Sequence, residues 1–93
     1  MKIAVNRNYG GFRLTKKQIE VLQLLVNEDF IDEVDYNQKL RNDPILIRTL
    51  ELYPSDNDVK IIEIPDNATD WVINEYDGFE TIYYVVDGKI KRA

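Results

Sequence analysis

Two short turns near the end of the sequence determine most of what this chain can fold into. Tyr76-Asp77-Gly78 separates the strand-like run Trp71–Glu75 from Glu80–Val86, which has the strongest β-preference in the chain. Asp87-Gly88 then returns the chain along Lys89–Arg92. Because Asp and Gly accept the positive φ angles of tight hairpin turns, this spacing predicts strands that pair antiparallel with their neighbours.

Two helices are predicted from their start and stop signals. Thr15 is a suitable N-cap for a helix over Lys16–Val26. Asp43 precedes a second helix, Pro44–Tyr53, because proline is favoured at the first helical position, and Pro54 ends it. The first helix is expected to be mostly buried, since its apolar residues form a wide face: Ile19, Val21, Leu22, Leu24, Leu25 and Val26.

The remaining segments complete the predicted fold class. Lys2–Asn6 and Val59–Ile64 are short strand-like runs, and residues 55–58 are a turn or loop between elements. The polar stretch Asn27–Asn42 is expected to be irregular, with a short strand near Glu33–Tyr36. We predict one α+β domain over residues 1–93, with a four- to five-stranded, mostly antiparallel sheet and two helices on one face.

Composition excludes several classes of function. The chain contains no Cys and no His, which removes disulfides, thiolate nucleophiles, Ser-His-Asp triads and nearly all zinc, copper and haem sites. A hydrophobic content of 44% is enough for a packed core without a cofactor or metal. No apolar run approaches the roughly 20 residues of a membrane span. We expect a cytoplasmic protein with no membrane contact.

Charge is segregated along the sequence, although the net charge is only −5. Residues 1–17 contain five basic residues and no acidic one, whereas residues 20–35 contain six acidic residues and no basic one. The pattern is typical of solvated faces, and it also fits a basic patch for an anion or an acidic face for a basic partner. The acidic balance argues against duplex DNA as a partner.

The chain contains four separated motifs: Tyr9-Gly10-Gly11-Phe12 after the opening strand, Arg41-Asn42-Asp43-Pro44-Ile45-Leu46, Ile61-Ile62-Glu63-Ile64-Pro65-Asp66, and the segment from Trp71 to Gly78. In this order they resemble a family of small uncharacterised phage and prophage proteins. The resemblance covers most of the chain and implies a phage setting, in the cytoplasm of an infected or lysogenic bacterium. It implies no mechanism, because the family has no assigned activity. The chain departs from such relatives after Gly78, where they continue into a basic aromatic tail that often contains His.

The basic loop before the first predicted helix is one candidate site. A Gly-Gly turn leading into a helix N-terminus offers free N–H groups and a favourable dipole to an anion. In the other interpretation the glycines only turn the chain, while its aromatic residues cover the core; the loop matches neither the Walker pattern nor G-x-G-x-x-G. The residues of this candidate nucleotide or phosphate site are Arg7, Tyr9, Gly10, Gly11, Phe12, Arg13, Lys16 and Lys17.

The C-terminal hairpin is the second candidate site, for a protein partner. Both faces of the strand around Thr81–Val86 are largely apolar. The strand is therefore either central in the sheet and covered on both faces, or one of its faces contacts another chain. The partner is then a host protein or a second copy of this chain. The candidate contact residues are Trp71, Tyr76, Ile82, Tyr83 and Tyr84.

Acidic residues provide no recognisable catalytic or metal motif. The stretch Glu28–Asp35 lacks the alternating ligands and obligatory Gly of an EF-hand, so solvated carboxylates are expected and no metal or cofactor is predicted. A hydrolase built on two carboxylates is a remote alternative, because no pair stands out. The sequence therefore predicts a non-enzymatic, phage-type accessory protein that inhibits a host or defence protein through an acidic and aromatic surface. The alternative is a small protein that sequesters a nucleotide or another phosphorylated molecule.

Overall fold

The computed structural model describes residues 1–54 and 59–93, so the turn predicted at 55–58 lies outside the described residues. Within the described residues the chain forms five strands, three α-helices and one 3₁₀-helix. In chain order these are β1 (Lys2–Asn6), α1 (Lys16–Leu25), α2 (Glu28–Tyr36), the 3₁₀-helix (Gln38–Asn42), α3 (Pro44–Leu52), β2 (Val59–Glu63), β3 (Asp70–Tyr76), β4 (Phe79–Val86) and β5 (Lys89–Arg92).

The strands form two antiparallel sheets. Strand β1 pairs with β2, from Lys2 opposite Glu63 to Asn6 opposite Val59. Strands β3, β4 and β5 form a meander in sequence order. The predicted α+β class and the antiparallel pairing are confirmed, but the single sheet and the pair of helices are replaced by two sheets and three helices.

Side chains on the second edge of β1 explain why the sheets stay separate. The backbone N–H of Asn6 donates to Glu80 at 2.6 Å, and Arg41 donates to the carbonyl of Ala4 at 3.4 Å. These groups satisfy main-chain atoms that a neighbouring strand would otherwise pair with, as buried backbone requires. The edge of β1 is therefore closed by an arginine and a glutamate.

Strand β1 separates two apolar cores because its successive side chains point to opposite faces. Ala4 packs with the helices, in a cluster with Leu22, Phe30, Val34, Leu46, Ile47 and Leu50. Ile3 and Val5 pack against the three-stranded sheet, in a cluster with Ile64, Trp71, Ile73 and Ile82. The β1–β2 ribbon is thus the layer between the helices and the meander.

Helix α1 begins as predicted but is much less buried than expected. Thr15 and Gln18 form a capping box, in which each side chain accepts a hydrogen bond from the other residue's backbone N–H. Only Gln18 and Leu22 are buried, while Leu24 and Leu25 are 86% and 60% exposed. The prediction of a mostly buried helix was wrong, because a single stripe of α1 faces the core.

The segment predicted to be irregular is helical instead. Asn27 caps α2 by accepting a hydrogen bond from the N–H of Phe30 at 2.8 Å. The two acidic residues of the first turn, Glu28 and Asp29, complement the helix dipole. Phe30 and Val34, four residues apart, are its buried residues. The strand predicted near residues 33–36 is therefore wrong, since this spacing belongs to a helix.

The predictions for the start of α3 and for the two hairpin turns are confirmed. The side chain of Asp43 accepts from the N–H groups of Ile45 and Leu46, and Pro44 is the first residue of α3. Both hairpin turns have positive φ at their two central residues, with 50° and 88° in the first and 51° and 71° in the second. This geometry matches the right-handed twist of the strands it connects.

Candidate functional site

A buried ion pair between Arg41 and Glu80 organises one end of the molecule. The two guanidinium nitrogens lie 2.6 Å and 2.9 Å from the two carboxylate oxygens, a bidentate arrangement. The side chains are 0% and 5% exposed. Arg41 also donates to the carbonyls of Val34 and Asp35, which fixes the C-terminal turn of α2.

An aromatic ring covers this pair from the basic loop. The guanidinium carbon of Arg41 lies 3.7 Å from the centroid of Phe12, within the range of a cation–π contact. Two elements distant in sequence, the 3₁₀-helix and β4, are thus joined beneath a residue of the 7–17 loop. The role of Glu80 had a signal in the sequence: it is a lone acid on a strand whose same-side neighbours, Ile82 and Val86, are buried.

The Gly-Gly turn packs directly against the β3–β4 hairpin. A Cβ atom on Gly78 would lie 2.5 Å from the backbone nitrogen of Gly11 and 3.0 Å from the carbonyl oxygen of Tyr9. The ring of Tyr9 packs on that of Phe79 at 5.5 Å, and the guanidinium of Arg7 lies over the same ring at 5.6 Å. The loop is therefore held by the hairpin through backbone contact and aromatic packing.

The basic residues of this loop do not converge on one point. Arg13, Lys16 and Lys17 are exposed, and Lys17 lies over the ring of Tyr53, 5.5 Å from its centroid. The capping box already occupies the N–H of Gln18 at the start of α1. Gly10 donates its N–H to Asn8, so it is engaged within the turn. Nε of Arg7 is buried without an acceptor among the described residues.

A polar cleft of about 260 Å³ lies where the loop, α2 and the hairpin meet. Asp35 and Glu75 line it, and within residues 1–54 and 59–93 neither carboxylate forms an ion pair. Glu80 also lines it, with its charge balanced by Arg41. The complete lining is Gly11, Phe12, Asp35, Tyr36, Gln38, Glu75, Gly78 and Glu80. We call this the acidic cleft.

Two aromatic residues, Phe12 and Tyr36, line the acidic cleft. Tyr36 at the end of α2 is 75% exposed. Tyr76 follows Glu75 on β3 and is 73% exposed, but it does not line the cleft. The cleft therefore combines net negative charge with aromatic faces, the two features that attract a cation or a basic side chain.

The hairpin residues predicted to contact a partner lie on two different faces. Trp71 and Ile82 are in the core, 7% and 0% exposed, and Tyr84 packs partly buried against that core. Tyr76 and the half-buried Tyr83 lie on the outer face of the meander. The first three residues support the sheet from beneath, whereas the last two reach its surface.

Lys39 closes the free edge of β3 near its start. Its ammonium group donates to the carbonyl of Trp71 at 2.5 Å and lies 4.2 Å from the centroid of the Trp71 ring. It also pairs with Asp70 at 3.3 Å. The N–H of Trp71 and then Lys39 both donate to the Asp70 carboxylate, and this lowers the pKa of Asp70 below its usual 3.8.

The topology places one pair of carboxylates directly opposite each other, Glu75 on β3 and Glu80 on β4. Their oxygens are occupied by N–H donors: Gly78 donates to Glu75, while Asn6 and Arg41 donate to Glu80. Both carboxylates are thus held in place as hydrogen-bond acceptors.

The acidic residues of α2 are solvated and dispersed. Glu28, Asp29, Asp32, Glu33 and Asp35 are all exposed. Over the described part of the chain, no group of three acidic residues is arranged to hold a metal ion. The described residues also contain no helix long and apolar enough to cross a membrane.

Comparisons with known proteins give no functional assignment. No protein family, no curated protein and no solved structure matches the chain.

Proposed function

We propose that this protein is a phage-type accessory protein without enzymatic activity, which acts in the cytoplasm of an infected or lysogenic bacterium by binding a host or defence protein. The acidic cleft is the observation that carries the proposal. Asp35 and Glu75 give it two carboxylates without a cationic partner among the described residues. An arginine or lysine side chain of the partner supplies the missing charge.

The chemistry of the cleft favours binding over catalysis. Glu80 is held by Arg41 and by the N–H of Asn6, and Glu75 by the N–H of Gly78, so both are fixed acceptors. The chain has no imidazole or thiol to serve as a base or nucleophile near neutral pH. A rigid, negatively charged site that holds a cationic side chain needs neither.

The aromatic residues give this site its selectivity for a positively charged group. A guanidinium group stacks on aromatic faces and forms bidentate hydrogen bonds with carboxylates. The exposed ring of Tyr36 supplies the aromatic face, since Phe12 already covers Arg41, and Asp35 and Glu75 supply the acceptors. We therefore expect arginine to bind more tightly than lysine.

A titration of the ¹⁵N-labelled protein with a short arginine-containing peptide tests this proposal. The backbone amides of Gly11, Tyr36 and Gly78 are expected to shift first. The double variant Asp35→Asn/Glu75→Gln is expected to weaken binding at least tenfold. Shifts spread evenly over all acidic surfaces, or unchanged affinity in the double variant, would contradict it.

A matched control separates the cleft from general electrostatic attraction. The variant Glu28→Gln/Asp29→Asn changes the net charge by the same amount. Both residues are exposed in the first turn of α2, about 9 Å or more along the helix from Asp35, and neither lines the cleft. This variant is expected to keep the affinity of the unmodified protein within about twofold at physiological salt, where charges far from the site are screened.

The nucleotide-binding alternative has one observation in its favour, the buried Nε of Arg7 without a described acceptor. An anion that reached this nitrogen would satisfy it. If the loop binds a phosphorylated molecule at this nitrogen, nucleotides raise the melting temperature and Arg7→Ala removes the rise. The absence of any rise, with nucleotides at millimolar concentration, excludes this alternative.

A further inference from the structure

Tyr9 and Arg7 cover the outer face of the β3–β4–β5 meander at Phe79, and the part of the face beyond them carries exposed apolar side chains. Side chains alternate along β3, so that Trp71 and Ile73 are buried while Val72 is 55% exposed. On β5, Ile90 is 77% exposed. This face lies opposite the apolar core of the sheet and does not belong to the acidic cleft.

Four residues of this face form one continuous surface. Val72 is directly opposite Tyr83, and Val85 is directly opposite Ile90. Directly opposite residues of antiparallel strands have their side chains on the same face, about 5 Å apart. We call Val72, Tyr83, Val85 and Ile90 the outer patch.

Two charged residues of opposite sign border the outer patch on opposite edges, so that two copies of the patch can pair them. Asp70 lies on the β3 edge, opposite Val85, and Arg92 lies on the β5 edge, opposite Tyr83. These two are the only charged residues that the pairing register places on the outer face of the three strands. Asp70 also pairs with Lys39 of its own chain, through a contact between exposed side chains. The face therefore has no excess of negative charge on a chain whose net charge is −5, so it avoids the like-charge repulsion that the other acidic surfaces present to a second copy.

We propose that the outer patch is the interface of a homodimer, in which two copies stack their meanders face to face. A two-fold axis parallel to β4 places β3 of one copy over β5 of the other. The register places Asp70 level with Ile90, so Asp70 lies two residues, about 7 Å, along the strand from Arg92 of the second copy. The long arginine side chain spans this offset, and the symmetry repeats the ion pair at the other edge. The apolar side chains of the outer patch fill the space between the two charged edges.

Pairing through the free edge of β5 is the competing way to join two copies, and its charges oppose it. Lys89, Lys91 and Arg92 lie along this short edge strand. Antiparallel pairing of two such edges would bring like charges together, a common protection of edge strands. A face contact avoids this repulsion.

The size of the face predicts a reversible dimer. Three strands spaced about 4.8 Å apart and roughly seven residues long give a face of about 330 Å² per copy. The total of about 660 Å² is below the roughly 1,200–2,000 Å² of stable complexes. We therefore expect the dimer to dissociate on dilution.

Sedimentation velocity of the full chain between about 5 μM and 1 mM tests the proposal. The dimer fraction is expected to rise with concentration. Ile90→Lys and Val72→Lys are each expected to raise the dissociation constant at least tenfold. Leu24→Lys is the matched control, because Leu24 is 86% exposed but lies on α1. Circular dichroism melts confirm that each variant folds.

Two results would overturn the proposal. One is a monomer at every concentration. The other is a dimer that Leu24→Lys disrupts or that both meander variants retain, since the interface would then lie elsewhere on the molecule.

A charge exchange tests the two-fold arrangement itself. Arg92→Asp is expected to weaken the dimer several-fold, because it places like charges beside each other at both edges. The double variant Asp70→Arg/Arg92→Asp restores opposite charges and is expected to recover affinity to within about threefold. If the double variant dimerises no better than Arg92→Asp alone, the two residues do not meet across the interface.

Discussion

Arg41 is the residue on which the arrangement of the helices and the meander most depends. It pairs with Glu80 and donates to the carbonyls of Val34, Asp35 and Ala4, so one side chain connects α2, β1 and β4. A buried ion pair is costly to desolvate, and removing one partner leaves an uncompensated charge. The contribution of Arg41 is therefore best measured by breaking the pair.

Replacing Arg41 with Ala is expected to lower the free energy of unfolding by about 3–5 kcal/mol, because Glu80 would remain buried and unpaired. Urea denaturation at neutral pH measures this loss. Lys2→Ala is the control, since the Lys2–Glu51 pair is exposed and such pairs contribute little. A variant R41A that unfolds at the same urea concentration as the unmodified protein would contradict the role assigned to the pair.

Gly78 and Gly88 provide a second test at the residue scale. Both have positive φ, so alanine costs about 1–2 kcal/mol at either position. A Cβ on Gly88 meets no described atom within 4 Å, whereas one on Gly78 would overlap the backbone of Gly11. Gly78→Ala is therefore expected to lower the melting temperature clearly more than Gly88→Ala. Equal losses would show that the loop moves away from the hairpin without cost.

At the scale of elements, the sequence predicted what is determined locally. Asp43-Pro44 and Thr15 specified the starts of α3 and α1 because a cap needs only its own next few residues. The two Asp-Gly turns specified the meander for the same reason. Helix α2 was missed, although Asn27 is a good N-cap and Phe30 and Val34 have helical spacing, because its many acidic residues resemble a solvated loop.

The candidate site was harder to predict because it is assembled from distant segments. Asp35, Glu75 and Gly78 lie in the same cleft only after α2 and the hairpin have packed against β1. The 7–17 loop had its own local signal, a run of basic residues, yet the structure spreads their side chains apart. The burial of Trp71 and Ile82 likewise depends on β1 and β2 covering one face of the meander.

The ends of strands β1 and β2 should respond to acid. The N-terminal ammonium of Met1 lies 2.5 Å from the carboxylate of Asp66 and lowers its pKa below the usual 3.8. The ionised form is favoured in the folded state, so this contact stabilises the protein above about pH 3.8 and is lost as the pH falls through the lowered pKa.

The variant Asp66→Asn should reveal this dependence in melting curves between pH 7 and pH 2. The difference in melting temperature from the unmodified protein is expected to be constant above about pH 5 and to disappear at the lowest pH. High salt is expected to reduce it, since Asp66 is 95% exposed. A difference that does not change with pH would mean that the carboxylate charge is not what stabilises this contact.

At the scale of the whole molecule, β1 is the most protected element. Ile3, Ala4 and Val5 are each 0% exposed, and the strand contributes to both apolar cores. Strand β5, at the opposite extreme, has four exposed residues. Stability in a protein of this size is distributed unevenly, and amide exchange reports that distribution.

Hydrogen exchange followed by NMR is expected to rank the strands in this order. The amides of β1 should exchange only through global unfolding, while those of β5 should exchange through local opening, at least a hundredfold faster. Strands β1 and β5 exchanging at the same rate would mean that the two layers unfold as one unit, and that the edge strand is as firmly held as the central one.

The position of β1 in the sequence also has a consequence for synthesis on the ribosome. This strand emerges well before its pairing partner, which begins more than 50 residues later, and before the glutamate that closes its edge, at position 80. Until that glutamate has left the exit tunnel, Arg41 has no counter-ion and β1 has an open edge. We therefore expect the nascent chain to remain dependent on chaperones until Glu80 has emerged, and to reach its native state in a single late step.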